Sequence, residues 1–391
     1  MILRKMFLIR LDKYEGGIKV IDYEGQYPVY EISASKIKSN ARKIYEMCRA
    51  NGIEPAGVVK GFSAIPEVAE LFIEAGFKTL GDSRMKEIIK LRRAGIKGEL
   101  MLIRIPMPCE IPELVSFADS SLNSEMETIR LINKEAGLQG KVHGVILMVD
   151  LGDLREGFFN REEAIEAAKE VEMLENVKLL GIGTNLGCYG SIKPSEKNLR
   201  ELCRLAELIE KEIGRSLEII SGGASTSLSL LVNGKMPERI NHLRIGEAII
   251  TAKDFPYVWG IEMPGIYRDP MVLKAQVVEV KTKPSYPIGE IFVDAFGNRP
   301  VYTDRGMRKR AVLAVGNKDF GDFSKLKPRH EGIEIIGSSI DHLILDIEDY
   351  AGEIKVGDVL EFDTFYAAMV FLSPVIVSER QLLSEPIRMK K

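Results

Sequence analysis

From Pro28 to about Asp254, short continuous apolar runs alternate with longer stretches whose apolar residues recur every three or four positions. The short runs cover residues 56–60, 79–82, 99–105, 121–123, 144–150, 179–184, 217–221 and 243–249. Strands that are apolar throughout belong to parallel sheets covered on both faces. Between them the spacing predicts helices over 66–75, 85–94, 125–136, 161–174, 196–213 and 228–232. In the first of these, Val68, Leu71, Phe72 and Ala75 share a face and Gly76 is the stop. A helix over 35–50, with Ile37, Ala41, Ile44 and Cys48 on one stripe, precedes the series. Eight strands alternating with helices favour an α/β fold of the closed (β/α)8 TIM barrel type over an open sheet.

After about Pro256 the texture changes. Segments 272–281, 311–315, 332–336, 342–347 and 359–362 read as strands separated by Gly, Pro and Asp turns. The expected organisation is therefore a barrel over 28–255 and a second, mainly β domain formed by 1–27 and 256–391, with strand-like stretches in 2–21 joining it. Lys and Arg (54) nearly balance Asp and Glu (57), so no basic excess exists to neutralise nucleic-acid phosphates. Arg308-Lys309-Arg310 sits beside apolar strand residues and reads as a solvated rim. The four cysteines, Cys48, Cys109, Cys188 and Cys203, have no C-x-x-C spacing. That argues against a disulfide framework or a metal site and for a reducing cytoplasm. Arg4, Lys5 and Arg10 break the apolar start, unlike a signal peptide. No apolar run approaches the ~20 residues of a membrane helix. A cytoplasmic protein with a small-molecule partner, and neither nucleic acid nor membrane, is expected.

Lys60 is the most informative single residue. It closes the first apolar run and so projects from the C-terminal face of the barrel, where such folds place their sites. Desolvation lowers the pKa of a lysine there, and a neutral amine can condense with an aldehyde. A lysine paired with a barrel carboxylate is the competing reading.

The stretch Pro28–Asn40 (PVYEISASKIKSN) followed by Gly57-Val-Val-Lys60 resembles the opening of alanine-racemase-like, fold-type-III enzymes that use pyridoxal 5′-phosphate (PLP). Met148–Gly157 (MVDLGDLREG), Ser221–Thr226 (SGGAST) and Ile288–Asn298 (IGEIFVDAFGN) resemble the ornithine-racemase branch of that family. The resemblance runs over nearly the whole chain. It implies that Lys60 holds PLP and acts as one acid–base group. Ser225, with backbone groups of Ile245 and Gly246, matches the phosphate cradle; a helix N-cap is the simpler role for Ser225. Arg244 matches an arginine facing the pyridine nitrogen, although elsewhere it would pass for an ion-pair residue. Arg155 matches an arginine near the substrate carboxylate, with a salt bridge to Glu156 as the alternative. Tyr366 is a candidate phosphate contact, or a packing residue.

The chain also departs from the alanine racemases. Ala64 replaces a phosphate-contacting tyrosine, Thr184-Asn185 replaces a Thr-His pair, making Asn185 a candidate substrate contact, and Met148 replaces a lysine. The region of the usual catalytic tyrosine reads Gly316-Asn317-Lys318-Asp319. Asp319, Asp341 and His342 are therefore the candidates for a second acid–base group, with strand-start packing as the alternative for His342. The implied function is PLP-dependent racemisation of ornithine or a similar basic or small amino acid, in a homodimer whose partner completes the site. A decarboxylase of the same fold type is the rival, but the second domain lacks its Cys-Glu-x-Gly motif. A lyase of the D-serine dehydratase type would need a zinc-binding cysteine after Cys203. A non-catalytic PLP-homeostasis protein would end after the barrel.

Overall fold

The structure, a computed structural model, describes residues 27–372. The strand-like stretches at 2–21 lie outside them. The described residues fall into two compact units, one formed by 36–268 and the other by 27–35 with 269–372.

The first unit is a closed eight-stranded parallel barrel. Its order is fixed by parallel pairing of neighbours in the sequence, closed by the first strand on the last. Strand β1 (Val29–Ile32) belongs to the second unit, and helix α1 (Ala34–Ala50) leads into the barrel. The barrel strands are β2 (Glu54–Val58), β3 (Thr79–Asp82), β4 (Glu99–Leu102), β5 (Ser120–Asn123), β6 (His143–Met148), β7 (Val177–Gly183), β8 (Ile219–Ala224) and β9 (His242–Ile245). The helices between them are α2 (Pro66–Ala75), α3 (Met85–Arg93), α4 (Ile111–Phe117), α5 (Met126–Leu138), α6 (Arg161–Glu172), α7 (Glu196–Ile213) and α8 (Leu228–Val232), and α9 (Glu247–Ile250) follows the last strand. Met101, Leu122, Ile146 and Met148 fill the barrel interior, packed by Ile103, Ile105, Leu180 and Ile219. The unit runs past the last strand because Asn40 on α1 grips both backbone groups of Tyr267, at 2.8 and 2.7 Å.

Some boundaries differ from the sequence reading for local reasons. The strand read to residue 249 stops at Ile245, because Gly246 turns the chain and its carbonyl accepts the Ile249 N–H at 2.9 Å. Helix α4 was not anticipated; it is short and carries Pro112 in its first turn, where a missing N–H costs nothing.

In the second unit β10 (Met271–Pro284), β11 (Met307–Leu313), β12 (Leu326–Pro328), β13 (Glu334–Ser338), β14 (Leu343–Asp346) and β15 (Val359–Thr364) form an antiparallel sheet, ordered β12-β15-β10-β11-β14-β13, with β1 also paired to β10. Two short helices, α10 (Asn317–Phe320) and α11 (Tyr366–Leu372), complete it.

Candidate active site

Lys60 lies just past the end of β2. The Val59 N–H still bonds the Gly81 carbonyl at 3.0 Å, after which residues Lys60–Phe62 make a single tight turn. Ser63 and Ala64 follow with φ of 50° and 45°. These left-handed values cost a non-glycine residue about 1 kcal/mol each. Lys90 on α3 holds the turn by donating to the Ser63 carbonyl. The Lys60 side chain is accessible to solvent yet walled by protein. Desolvation lowers its pKa first, followed by the Arg155 guanidinium; Cys188 and Asp82 pull it up, and Arg244 pushes it down. Lys60, Asp82, Arg155, Cys188 and Arg244 therefore meet at one end of the barrel, the end at which parallel-barrel enzymes carry their chemistry.

Arg244 on β9 is only 4% exposed. It donates to Ser221 Oγ at 2.5 Å and to the Thr184 carbonyl at 2.7 Å, neither of them a carboxylate. Burial lowers its pKa to about 10. Ser221 Oγ also meets His242 Nδ1 at 2.8 Å, and burial with the Arg244 charge lowers His242 to about 3, so this imidazole is neutral. An arginine buried without a carboxylate bond is poorly compensated by the protein alone.

Ser225 follows β8, where the pairing with β9 slips between Ser221 and Ala224 and Gly223 takes φ 112°. The slip turns Ser225 towards the start of α9, and its Oγ accepts the N–H groups of Gly246 at 3.2 Å and Ala248 at 3.4 Å. Ser225 thus serves a different helix from the one it precedes. A Cβ on Gly246 would stand 3.0 Å from Val58, so a side chain there would require Val58 to give by a few tenths of an ångström.

The loops after β6 and β7 bring the remaining candidates. Asp150 Oδ1 accepts the N–H groups of Gly152 (2.8 Å) and Leu154 (3.1 Å), shaping the turn that presents Arg155. Gly157 closes that turn with φ 127°, and a Cβ there would stand 2.6 Å from the Asp150 nitrogen. Buried Asp153 accepts from the N–H groups of Cys188 (3.3 Å), Tyr189 (3.1 Å) and Ile192 (3.3 Å), tying the second loop to the first. Arg155 pairs with Glu156 and reaches Cys188 Sγ at 2.8 Å. With its amide oxygen turned to Arg155, Asn185 accepts from Nη2 at 2.8 Å and Nη1 at 3.2 Å.

The second unit carries the other candidates. Asp319, in α10, accepts the Gly316 N–H at 2.9 Å. The Asn317 and Lys318 N–H groups bond the Ser339 and Ile340 carbonyls at 2.9 and 3.2 Å, which places Asp319 in the same corner as Asp341 and His342. Asp341 and His342 are exposed, and the His342 N–H donates to Ser339 Oγ at 3.2 Å. Tyr366 opens α11, half-buried. The sequence reading overlooked Asp82 and Cys188. An aspartate after an apolar strand resembles an ordinary turn residue, and a lone cysteine gives no spacing to read.

Residues 32–254 match the alanine racemase N-terminal domain. The chain is 44% identical over 359 residues to the ornithine racemase of Acetoanaerobium sticklandii, covering 91% of this chain and all of that relative. It is 38% identical to the lysine racemase of Thermotoga maritima, over 88% of this chain and 95% of the relative. Among solved structures, alanine racemase from Streptomyces lavendulae superposes with a TM-score of 0.66 at 19% identity, over 88% of this chain and 94% of that one. The chain belongs to the alanine racemase family and is an amino-acid racemase.

Proposed function

We propose that the protein interconverts the L and D forms of ornithine, or of a closely similar basic amino acid, with PLP held on Lys60. The single observation that carries the cofactor assignment is a solvent-reachable lysine of lowered pKa at the same barrel end as a buried arginine whose hydrogen bonds go to a hydroxyl and a carbonyl rather than a carboxylate. The residues fit the group. Lys60 offers an amine of lowered pKa for its aldehyde, and Arg244 a cation for its ring nitrogen. Ser225 Oγ and the Gly246 and Ala248 N–H groups converge as a phosphate cradle. Thr184 Oγ1 is buried with no hydrogen-bond partner among the described residues, at the same end.

When bound, PLP supplies the electron sink that makes an α-proton acidic enough to remove. Arg244 would face the ring nitrogen as a fixed cation and disfavour its protonation, which would temper the sink and favour proton return over side reactions. Arg155, aligned by Asn185, binds the substrate carboxylate through its planar fork. Lys60 takes or returns the α-proton on its own face. Asp319, Asp341 and His342 are the candidates for the opposite face, and Tyr366 for a further phosphate contact. The preference for a basic side chain rests on the likeness to the ornithine and lysine racemases.

The reading includes a cytoplasmic homodimer. Ile288, Phe292 and Val301, between β10 and β11, are 90%, 69% and 95% exposed, an apolar surface suited to a second copy. All four cysteines are free. Among the described residues no helix is long and apolar enough to cross a membrane. Incubation with single L-amino acids, followed by chiral analysis and CO2 detection, tests the function. Epimerised ornithine without gas supports it, and the absence of α-deuterium uptake from heavy water with every amino acid would refute it.

A further inference from the structure

Asp82 ends β3, the strand beside the one that leads into Lys60. It is 1% exposed. Its Oδ1 accepts the Arg84 N–H at 2.9 Å, while Oδ2 is buried with no hydrogen-bond partner among the described residues. Leaving a buried carboxylate oxygen unpaired costs at least as much as an ordinary lost hydrogen bond. The charged groups around it are Lys60 and, from α3, Glu87 and Lys90. Lys90 is already committed, since its amine pairs with Glu87 and donates to the Ser63 carbonyl. Lys60 is left as the charge that Asp82 can answer. Burial raises Asp82 to about 7 and lowers Lys60, so the two groups approach each other in proton affinity.

We infer that Asp82 is a positioning residue whose buried carboxylate, on the strand beside the one that leads into Lys60, favours the protonated form of the Lys60 amine. The inference rests on the reading of Lys60 as the lysine that holds the cofactor and handles the α-proton. An amine that has just gained a proton there faces two guanidinium groups, Arg155 and Arg244, and Asp82 is the carboxylate that pulls against them. A purely structural role would be the turn contact from Oδ1 to the Arg84 N–H. Asparagine can make that contact too, which separates the two roles.

The test uses the full-length apoprotein of the wild type, Asp82→Asn and Asp82→Glu. Each is incubated with PLP and cyanoborohydride across a pH series, and the reduced adduct on the Lys60 peptide is quantified by mass spectrometry. The neutral asparagine withdraws one of the two groups, Cys188 and Asp82, that raise the Lys60 pKa. The pH midpoint of trapping should therefore fall by about one unit, with D82E near the wild type. A D82N midpoint equal to the wild type would overturn the inference while leaving Lys60 as the cofactor lysine. Wild-type protein that is never trapped at Lys60 would overturn the reading of Lys60 itself, and the inference with it. If D82N does not fold, carboxyl NMR of labelled aspartate in Lys60→Met gives the reciprocal measurement. The Asp82 midpoint should rise there, and an unchanged midpoint would overturn the inference.

Discussion

Arg244→Met separates what the buried cation does for the fold from what it does for the reaction. The fold alone gains little from this arginine. Its lowering to about 10 corresponds to about 3 kcal/mol against the charged form. Against that stand two hydrogen bonds, to Ser221 Oγ and the Thr184 carbonyl. Bonds from a charged donor contribute roughly 1.5–3 kcal/mol each, and Ser221 keeps His242 as a second partner. Set against each other these leave a net of roughly 0–3 kcal/mol, so apoprotein stability should fall by no more than about 3 kcal/mol. Removing one partner of a buried ion pair instead costs about 3–5 kcal/mol. Urea denaturation of the apoprotein measures the first quantity. On the loaded enzyme, racemisation should fall, and keto-acid release per racemisation event should rise as the ring nitrogen loses its fixed cation. Destabilisation beyond about 4 kcal/mol, or an unchanged ratio of keto acid to racemised product, would refute the reasoning.

Ser225→Ala removes the hydroxyl at which two backbone N–H groups converge, and should weaken PLP retention about tenfold, one lost charge-assisted hydrogen bond; equilibrium dialysis followed by absorbance reads it. His143 on β6 is buried against Ser121 and lowered to about 4, chiefly by burial, so it is neutral in the fold and takes up a proton only on unfolding. Its contribution is fully present above about pH 6.5 and lost as the pH falls towards 4. His143→Gln should flatten the acid limb of stability by denaturation against pH, and a limb as steep as the wild type's would count against the neutral imidazole. Asp153→Ala takes the acceptor from three loop N–H groups; hydrogen exchange at Cys188, Tyr189 and Ile192 should accelerate by tenfold or more while that of β6 is unchanged.

The barrel was legible because its strands are covered on both faces, which leaves continuous apolar runs; in β6 every residue from His143 to Met148 is buried. Helix α2 could be bounded to the residue because Pro66 starts it and Gly76, at φ 115°, ends it. Two features gave no such signal. The tight turn at Lys60 depends on left-handed Ser63 and Ala64, residue types that do not announce that conformation. The turn after Ile245 depends on Gly246 approaching Val58, a contact between distant parts of the chain. The site shows the same division. Lys60 could be singled out by its place after an apolar run, whereas Ser225 and Arg244 needed the family resemblance. Asp82 emerged only from its burial and its unpartnered oxygen.

The central claim, that Lys60 carries PLP at the mouth of this barrel, is tested most directly by borohydride reduction of the purified protein followed by peptide mass mapping. A single phosphopyridoxyl group is expected on the peptide containing Lys60, and Lys60→Ala should show neither the visible cofactor absorbance nor racemisation of ornithine. A phosphopyridoxyl group on another lysine, or a Lys60→Ala protein that keeps both absorbance and activity, would contradict it.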